Sequence, residues 1–474
     1  MQNDARTLLF VPLALAACIV GATSLATAQT TRTLPQAKLP AHAEFPNPSG
    51  MSETLSSTGP IDPNSPFFQS LGTNGRSCGT CHQPDQGWSI SAAQAQMRFL
   101  LTNGTDPLFR TNDGSNCDHN IDVSSVAGRS QAYSLMITRG LIRVAIDVPA
   151  NAEFKVVGVQ NPYGCSETKT LSMYRRPLPT ANLKFLSAVM WDGRESTASP
   201  TQKITFATNP GDLVVDLFQQ AQDATSGHAQ GILSLTHAQQ QAIVDFEMGM
   251  STAQIVDANA RRLDAGGATG GALALAGQSF FVGVNDPLGG NPFNTTFSSS
   301  IFSLFGSWAE APADSARASI ARGEALFNTK PIQITGVNGL NDTINQPVVA
   351  GFCGTCHSAP NAGNHSVSLP INIGVADLTN PLGVDYLPVI TLQNVATGAK
   401  VQTTDVGRAM VTGKWADVGK FKGPVLRGLA ARAPYFHNGS ARSLKDVVDF
   451  YDSRFQVGFT QREKEDLVAF LRAL

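Results

Sequence analysis

Cys78-Gly79-Thr80-Cys81-His82 and Cys353-Gly354-Thr355-Cys356-His357 are two copies of one pattern, C-x-x-C-H, in a single chain. Two thiols at this spacing add across the vinyl groups of one porphyrin, and the adjacent histidine supplies an axial nitrogen to its iron. A thioredoxin-like redox pair and half of a zinc site are the alternatives, but neither requires the trailing histidine. We therefore expect two covalently bound haem c groups, with His82 and His357 as iron ligands.

The N-terminus has the pattern of a secretory signal peptide. Arg6 precedes an apolar run over residues 8–20, and Ala26-Thr27-Ala28 supplies the small residues that a signal peptidase reads. We expect residues 1–28 to be removed and the chain to be exported to the periplasm. The run is short for a membrane anchor, and a lipoprotein signal that would acylate Cys18 is a second alternative.

The remaining cysteines predict a disulfide. Of seven cysteines, Cys18 falls in the leader and four belong to the haem motifs, which leaves Cys117 and Cys165. An oxidising compartment favours their pairing, and closing so long a loop stabilises a fold by about 4 kcal/mol in the chain-entropy model. Two buried free thiols are the alternative.

Length, charge and helix signals predict an all-α protein with two cytochrome c-like domains. The chain has 474 residues, a formal net charge of −2 and only 15% charged residues, which gives no basic surface for nucleic acid. The parts we expect are a signal peptide (1–28), an extended arm (29–65), an N-terminal haem domain (66–310) with a loop-rich insertion (100–170), and a C-terminal haem domain (311–474). Helical patterns in the N-terminal haem domain cover residues 212–230 and 237–260.

The C-terminal domain has the clearest helix signals. Asp314 or Ser315 can cap a helix that runs to residue 328, and capping boxes begin at Ser443 and Thr460. The last helix carries apolar residues at helical spacing. Gly323 would let the first and last of these helices cross closely.

Two further motifs indicate a family. The run Ala433–Ser440, which reads APYFHNGS and contains His437, is followed by Ser443–Tyr451, and Trp191-Asp192-Gly193-Arg194 lies upstream. Together with the haem motifs these segments resemble the bacterial di-haem cytochrome c peroxidase and MauG superfamily over nearly the whole mature chain, with interruptions at about residues 100–170 and 195–215. The resemblance implies that the N-terminal haem meets hydrogen peroxide, that the C-terminal haem stores an electron, and that Trp191 relays charge between them. Core packing is the alternative role of Trp191.

The resemblance also bears on the second axial ligand of the C-terminal haem. Methionine-ligated peroxidases place that methionine fourteen residues after the histidine at position 437, where this chain has Tyr451. A phenolate ligand is typical of MauG-like members and would favour ferric iron. Met410 is the rival ligand, and packing in the core is the alternative for both residues.

The N-terminal haem is expected to have an open coordination position. The family position that caps the resting iron with histidine, sixteen residues beyond His82, is Arg98 here. His119, in the insertion, is the histidine that would overturn this expectation by folding back onto the iron.

The resemblance further places the distal glutamine of the family at Gln220. The glutamate that the family carries ten residues on falls at Gln230, so His228 is the candidate acid–base group, with a surface role as its alternative.

Calcium is expected to bind weakly or not at all. The family holds the ion with an asparagine and backbone carbonyls, and the matching positions are Pro177, Arg432 and Pro434. A basic side chain in place of the ion is an alternative.

These observations predict a periplasmic enzyme that reduces hydrogen peroxide, with electrons from a small c-type cytochrome or a cupredoxin. A MauG-like enzyme that oxidises side chains of a partner protein is the first alternative. A rubber-cleaving oxygenase and a plain electron carrier are the others.

Overall fold

The computed structural model describes residues 38–196, 210–367 and 369–474. The predicted signal peptide and Cys18 lie outside the described residues. The helices are α1 Cys78–Cys81, α2 Ala92–Thr102, α3 Val126–Ala132, α4 Ser134–Arg139, α5 Pro210–Gly227, α6 His237–Gly249, α7 Ala272–Ala276, α8 Ala316–Thr329, α9 Ala409–Thr412, α10 Leu444–Phe455 and α11 Gln461–Arg472. The strands are β1 His42–Asn47, β2 Gly50–Ser56, β3 Ile142–Asp147, β4 Phe154–Gln160, β5 Thr170–Arg175, β6 Met250–Asp257, β7 Arg261–Arg262, β8 Ile332–Thr335, β9 Val348–Gly351, β10 Val389–Asn394 and β11 Lys400–Thr403.

The prediction of an all-α fold is wrong. The protein has 30% helix and 17% strand, which makes it a mixed α/β fold. In the part of the chain that the structure describes, the strands form antiparallel sheets of four, three, two and two strands. The physical reason is that the segments between the haem helices are long enough to pair with one another, and strand pairing satisfies their backbone hydrogen bonds.

The four-stranded sheet corrects two local expectations. Residues 42–56, in the predicted extended arm, form β1 and β2, and β2 pairs with β6. The helix expected over residues 237–260 ends at Gly249, and the chain continues as β6. The β6 sequence includes β-branched Thr252, Ile255 and Val256, which favour a strand over a helix.

The predicted helices of the C-terminal part are confirmed. The Ser315 hydroxyl caps α8, and capping boxes open α10 at Ser443 and α11 at Thr460. A Cβ atom at Gly323 would lie 2.0 Å from the carbonyl oxygen of Asp466 on α11. Glycine is therefore what allows α8 and α11 to cross at this distance.

The insertion is tied to the rest of the fold. Cys117 and Cys165 form a disulfide, as the cysteine count predicts. Strand β4 of the insertion pairs with β10, so strands from both predicted haem domains share the three-stranded sheet. Among the described residues, no helix is both long enough and apolar enough to span a membrane.

Candidate functional site

The first haem motif opens onto a cavity in the N-terminal half. Cys78 and Cys81 are the ends of α1, both carry free thiols, and they line this cavity together with His82. Nδ1 of His82 donates a hydrogen bond to the carbonyl oxygen of Trp88 at 3.0 Å, and because a carbonyl only accepts, the bond places the ring proton on Nδ1. Desolvation lowers the pKa of His82 to about 4. The neutral ring therefore has a free Nε2 lone pair for iron.

The second motif repeats this arrangement at another cavity. Cys353 and Cys356 are also free thiols and line it with His357. Nδ1 of His357 donates to the carbonyl oxygen of Gly363 at 2.6 Å, and desolvation lowers the pKa of His357 to about 4. Again the neutral imidazole keeps Nε2 free.

Both sites fit a covalent haem. Each brings two free thiols and one neutral imidazole to the wall of a single cavity, which is the donor set of haem c. The glycine of each motif is closely packed against a neighbouring side chain. A Cβ at Gly79 would lie 2.6 Å from Phe68, and a Cβ at Gly354 would lie 2.5 Å from Ile301. This packing holds the cysteines of each motif at the cavity.

Trp191 lies between the two sites. Its side chain lines both cavities, and its indole nitrogen donates to the carbonyl oxygen of Arg176 at 2.8 Å. Its ring centroid is 6.1 Å from that of His437. Of the predicted site residues, Trp191 alone borders both cavities.

Buried ion pairs fix the loop that carries Trp191. Asp192 pairs with Arg175 and, at 3.1 Å, with Arg194, while Arg175 also binds Asp405 at 2.7 Å. Burial alone would raise the pKa of Asp192, but the guanidinium groups of Arg175 and Arg194 hold it well below its usual range. Asp192 therefore stays ionised and anchors the loop.

Tyr451 and Met410, the two residues that the sequence offers as a second axial ligand at the C-terminal motif, lie in different places. Tyr451, on α10, lines the C-terminal cavity, where desolvation raises the pKa of its hydroxyl. Met410 is 3% exposed and packs in an apolar cluster with Phe154, Leu171 and other residues, and it does not line the cavity. Of these two residues, Tyr451 lines the cavity and Met410 does not.

His437 also borders the C-terminal cavity. It stacks on Phe421 with 3.9 Å between ring centroids, and its Nε2 has no hydrogen-bond partner among the described residues. Desolvation lowers the pKa of His437 to about 4. It is therefore a neutral ring in the wall beside Trp191.

Gln220 and His228 both line the N-terminal cavity. Gln220 lies on α5, and its amide carries both a donor and an acceptor. The Nδ1 of His228 is bonded to Asp113, which also binds Arg76. The His228 side chain is 42% exposed, so it lies at the rim of the cavity.

Two residues considered for the N-terminal iron lie elsewhere. Arg98 on α2 pairs with Asp106 and donates to the carbonyl oxygen of Thr80 at 2.6 Å, so it braces the haem loop from outside the cavity. His119 is bonded to Asp118 at 2.7 Å, beside the disulfide. Within the described residues, His82 and His228 are the histidines that line the N-terminal cavity.

The carbonyls considered for calcium have other partners. The Arg176 guanidinium donates to the carbonyl oxygen of Arg432 at 2.9 Å and to that of Gly140 at 2.9 Å. The carbonyl oxygen of Pro177 accepts from the hydroxyl of Ser89 at 2.7 Å. A guanidinium thus lies against the carbonyl of Arg432.

Two residues that line the cavities were not singled out in the sequence. Lys422 is buried in the wall of both cavities, and desolvation lowers its pKa to about 8. Glu247 lies on α6 and lines the N-terminal cavity. The helical spacing of the sequence indicates that Glu247 is buried, because it follows Ile243 by four residues and so lies on the same face of the helix.

Over part of its length, the chain is similar to bacterial cytochrome c peroxidases. The cytochrome-c peroxidase IdrP2 of Denitromonas iodatirespirans is 35% identical over 135 residues, which cover 26% of this chain and 36% of the relative. The cytochrome-c peroxidase IdrP1 of Pseudomonas sp. (strain SCT) is 33% identical over 172 residues, which cover 32% of this chain and 39% of the relative. The chain is related to bacterial cytochrome c peroxidases. This similarity confirms the resemblance to bacterial cytochrome c peroxidases.

The matches cover little more than a third of the length of these two cytochrome c peroxidases. No family model matches the chain. Among solved structures, a MauG-like protein associated with microbial copper homeostasis aligns with a TM-score of 0.35 and 15% identity, covering 86% of this chain and 87% of that protein.

Proposed function

We propose that this protein is a periplasmic di-haem peroxidase that reduces hydrogen peroxide to water. One peroxide takes up two electrons and two protons, its O–O bond breaks, and two waters form. The electrons come from a one-electron donor, a small c-type cytochrome or a cupredoxin. The observation that carries the proposal is that Trp191 lines two cavities, each of which holds a complete haem-attachment motif.

The protein's own residues divide the work. A haem held by Cys78, Cys81 and His82 would supply the iron chemistry that breaks the O–O bond. The Gln220 amide can orient peroxide because it both donates and accepts hydrogen bonds. Trp191 is the aromatic path for charge between the two cavities.

Placement of Tyr451 in the C-terminal cavity favours a second candidate. A phenolate ligand stabilises higher oxidation states of iron, which would let the protein keep its oxidising equivalents and use them on side chains of a partner protein, as in MauG-like enzymes. This candidate differs from the first in the final reductant. A peroxidase oxidises a soluble electron donor, whereas the MauG-like enzyme leaves a modified protein substrate.

The test is peroxide consumption by the purified holoprotein with a reduced small cytochrome as donor. Trp191→Phe should keep both haems and slow turnover, because the indole path is lost. Trp308→Phe is a matched control, since Trp308 is buried outside both cavities and its indole nitrogen also donates to a backbone carbonyl, that of Ala265 at 2.9 Å. No donor oxidation by the wild-type protein would refute the peroxidase. Equal slowing in both variants would refute the role of Trp191.

A further inference from the structure

Glu247 is a buried acidic residue. It is 3% exposed on α6, and its Oε2 has no hydrogen-bond partner among the described residues. Leaving a carboxylate desolvated and unpaired is costly, and native proteins pair such groups or keep them neutral. A neutral carboxyl in this position still carries a proton that it can donate.

The surroundings of Glu247 are apolar on the protein side and open towards the cavity. The helix packs its Ile243 and Phe246 against Phe67 and neighbouring apolar residues. Glu247 lines the same cavity as Cys78 and His82, and it is near enough to Cys78 to raise the pKa of that thiol. The carboxyl therefore borders the space that the N-terminal motif encloses.

Burial alone raises the pKa of Glu247, to about 8. The elements packed against α6 are α5, β2 and the short 3-10 helices at Pro66–Phe68 and Leu183–Phe185. The titratable residues on these elements do not contribute to the raised pKa of Glu247. They are Asp212, Asp216 and Asp223 on α5, Glu53 on β2, and Lys184. Because no cation among the described residues offsets this desolvation, we expect the carboxyl to be protonated at neutral pH.

The other candidates in this cavity are less suited to proton donation. The amide of Gln220 does not exchange a proton in the neutral range. His228 is tied through Nδ1 to Asp113 and lies partly in solvent. Glu247, in contrast, is buried in the cavity wall, and its Oε2 has no hydrogen-bond partner among the described residues.

We propose that Glu247 is the proton donor of the N-terminal cavity, a role that rests on the peroxidase function proposed above. Its carboxyl O–H bond breaks and the proton passes to the peroxide oxygen that leaves, so that this oxygen departs as water. The electrons that reduce the peroxide come from the one-electron donor. The carboxylate then takes a proton from water and returns to its neutral form.

Glu247→Gln tests this role, because it keeps the shape of the side chain and removes the acid. Glu324→Gln is the matched control: Glu324 is also a buried glutamate on a helix, but it lies outside both cavities and accepts hydrogen bonds from the backbone of Leu304 and Phe305. The first readout is infrared difference spectroscopy of the resting protein. We expect a protonated-carboxyl band at neutral pH that disappears in Glu247→Gln and persists in Glu324→Gln. An identical band in wild type and Glu247→Gln would overturn the proposal.

The second readout is the rate of the peroxide reaction after rapid mixing. Glu247→Gln should slow it by about 10²- to 10⁴-fold, with haem content and resting spin states unchanged, and Glu324→Gln should leave it unchanged. Glu247→Asp, which keeps the acid, should recover part of the rate and replaces the glutamine variant if that one does not fold. An unaltered rate in Glu247→Gln would overturn the proposal. A wild-type protein that ignores peroxide would instead refute the peroxidase function and, with it, the donor role, whatever the infrared band shows.

Discussion

Met410→Ala gives the sharpest test of how the C-terminal haem is ligated. Met410 is 3% exposed and belongs to an apolar cluster that includes Phe154 on β4 and Leu171 on β5. Burial of this extent means that truncation loses nearly all of the transfer free energy of the side chain. It also leaves a cavity in this cluster, because the surrounding structure relaxes only partially. Substitutions of this kind lower the free energy of unfolding by about 2–5 kcal/mol, and we expect a value near the middle of that range.

The assay combines denaturant unfolding with low-temperature electron spin resonance of the ferric protein. Met410→Ala should lose stability and keep the spectrum of the wild type, which we expect to show one high-spin and one low-spin haem. Tyr451→Phe should do the opposite: it keeps the ring that stacks on Phe455 at 6.2 Å, but removes the hydroxyl, so the low-spin haem should become high-spin or change its ligand. A changed spin state in Met410→Ala, with less than about 1 kcal/mol lost, would refute the assignment of Tyr451.

Three further changes test other parts of the account. In denaturing gels stained for haem, Cys81→Ala and Cys356→Ala should each lose one haem, and two retained haems in either variant would contradict the attachment sites. Gly323→Ala should lower the free energy of unfolding by about 1–3 kcal/mol, because its Cβ would lie 2.0 Å from a carbonyl oxygen of α11; an unchanged denaturation midpoint would refute the close crossing. Burial raises the pKa of Glu247 from 4.5 to about 8 in the native state. The contribution of this residue to the free energy of unfolding therefore falls as the pH rises from 4.5 to about 8. Relative to wild type, Glu247→Gln should therefore gain up to about 1.4 kcal/mol per pH unit there, and a stability difference that stays constant with pH would contradict the raised pKa.

Local sequence signals predicted the helical elements well where one residue decides the geometry. Ser315, Ser443 and Thr460 each open a helix because their side chains satisfy backbone amides of the first turn. Gly323 marked a helix crossing because only a missing Cβ permits that approach. The attachment motifs were likewise readable, since their chemistry lies within five consecutive residues.

The pairing of β2 with β6 in the four-stranded sheet was missed because it is long-range. Strand β2 pairs with β6 nearly two hundred residues away, for example Thr54 with Thr252, and no local pattern encodes such a partner. The helix pattern beginning at His237 continued past Gly249 in the prediction, although tertiary pairing makes the next residues a strand. Glu247 was missed although its spacing from Ile243 places it on the buried face of its helix, because the sequence does not show that the fold leaves its Oε2 without a hydrogen-bond partner among the described residues.

The central claim is that two haems in one chain act together on peroxide, and rapid mixing of the purified diferric protein with hydrogen peroxide tests it most directly. The account predicts that the absorption of both haems changes after mixing, that one peroxide is consumed for every two electrons, and that a reduced small cytochrome restores the resting spectrum. Spectra that stay unchanged, with both irons six-coordinate, would contradict it and leave an electron carrier. Consumption of dioxygen without any reaction with peroxide would contradict it in favour of an oxygenase.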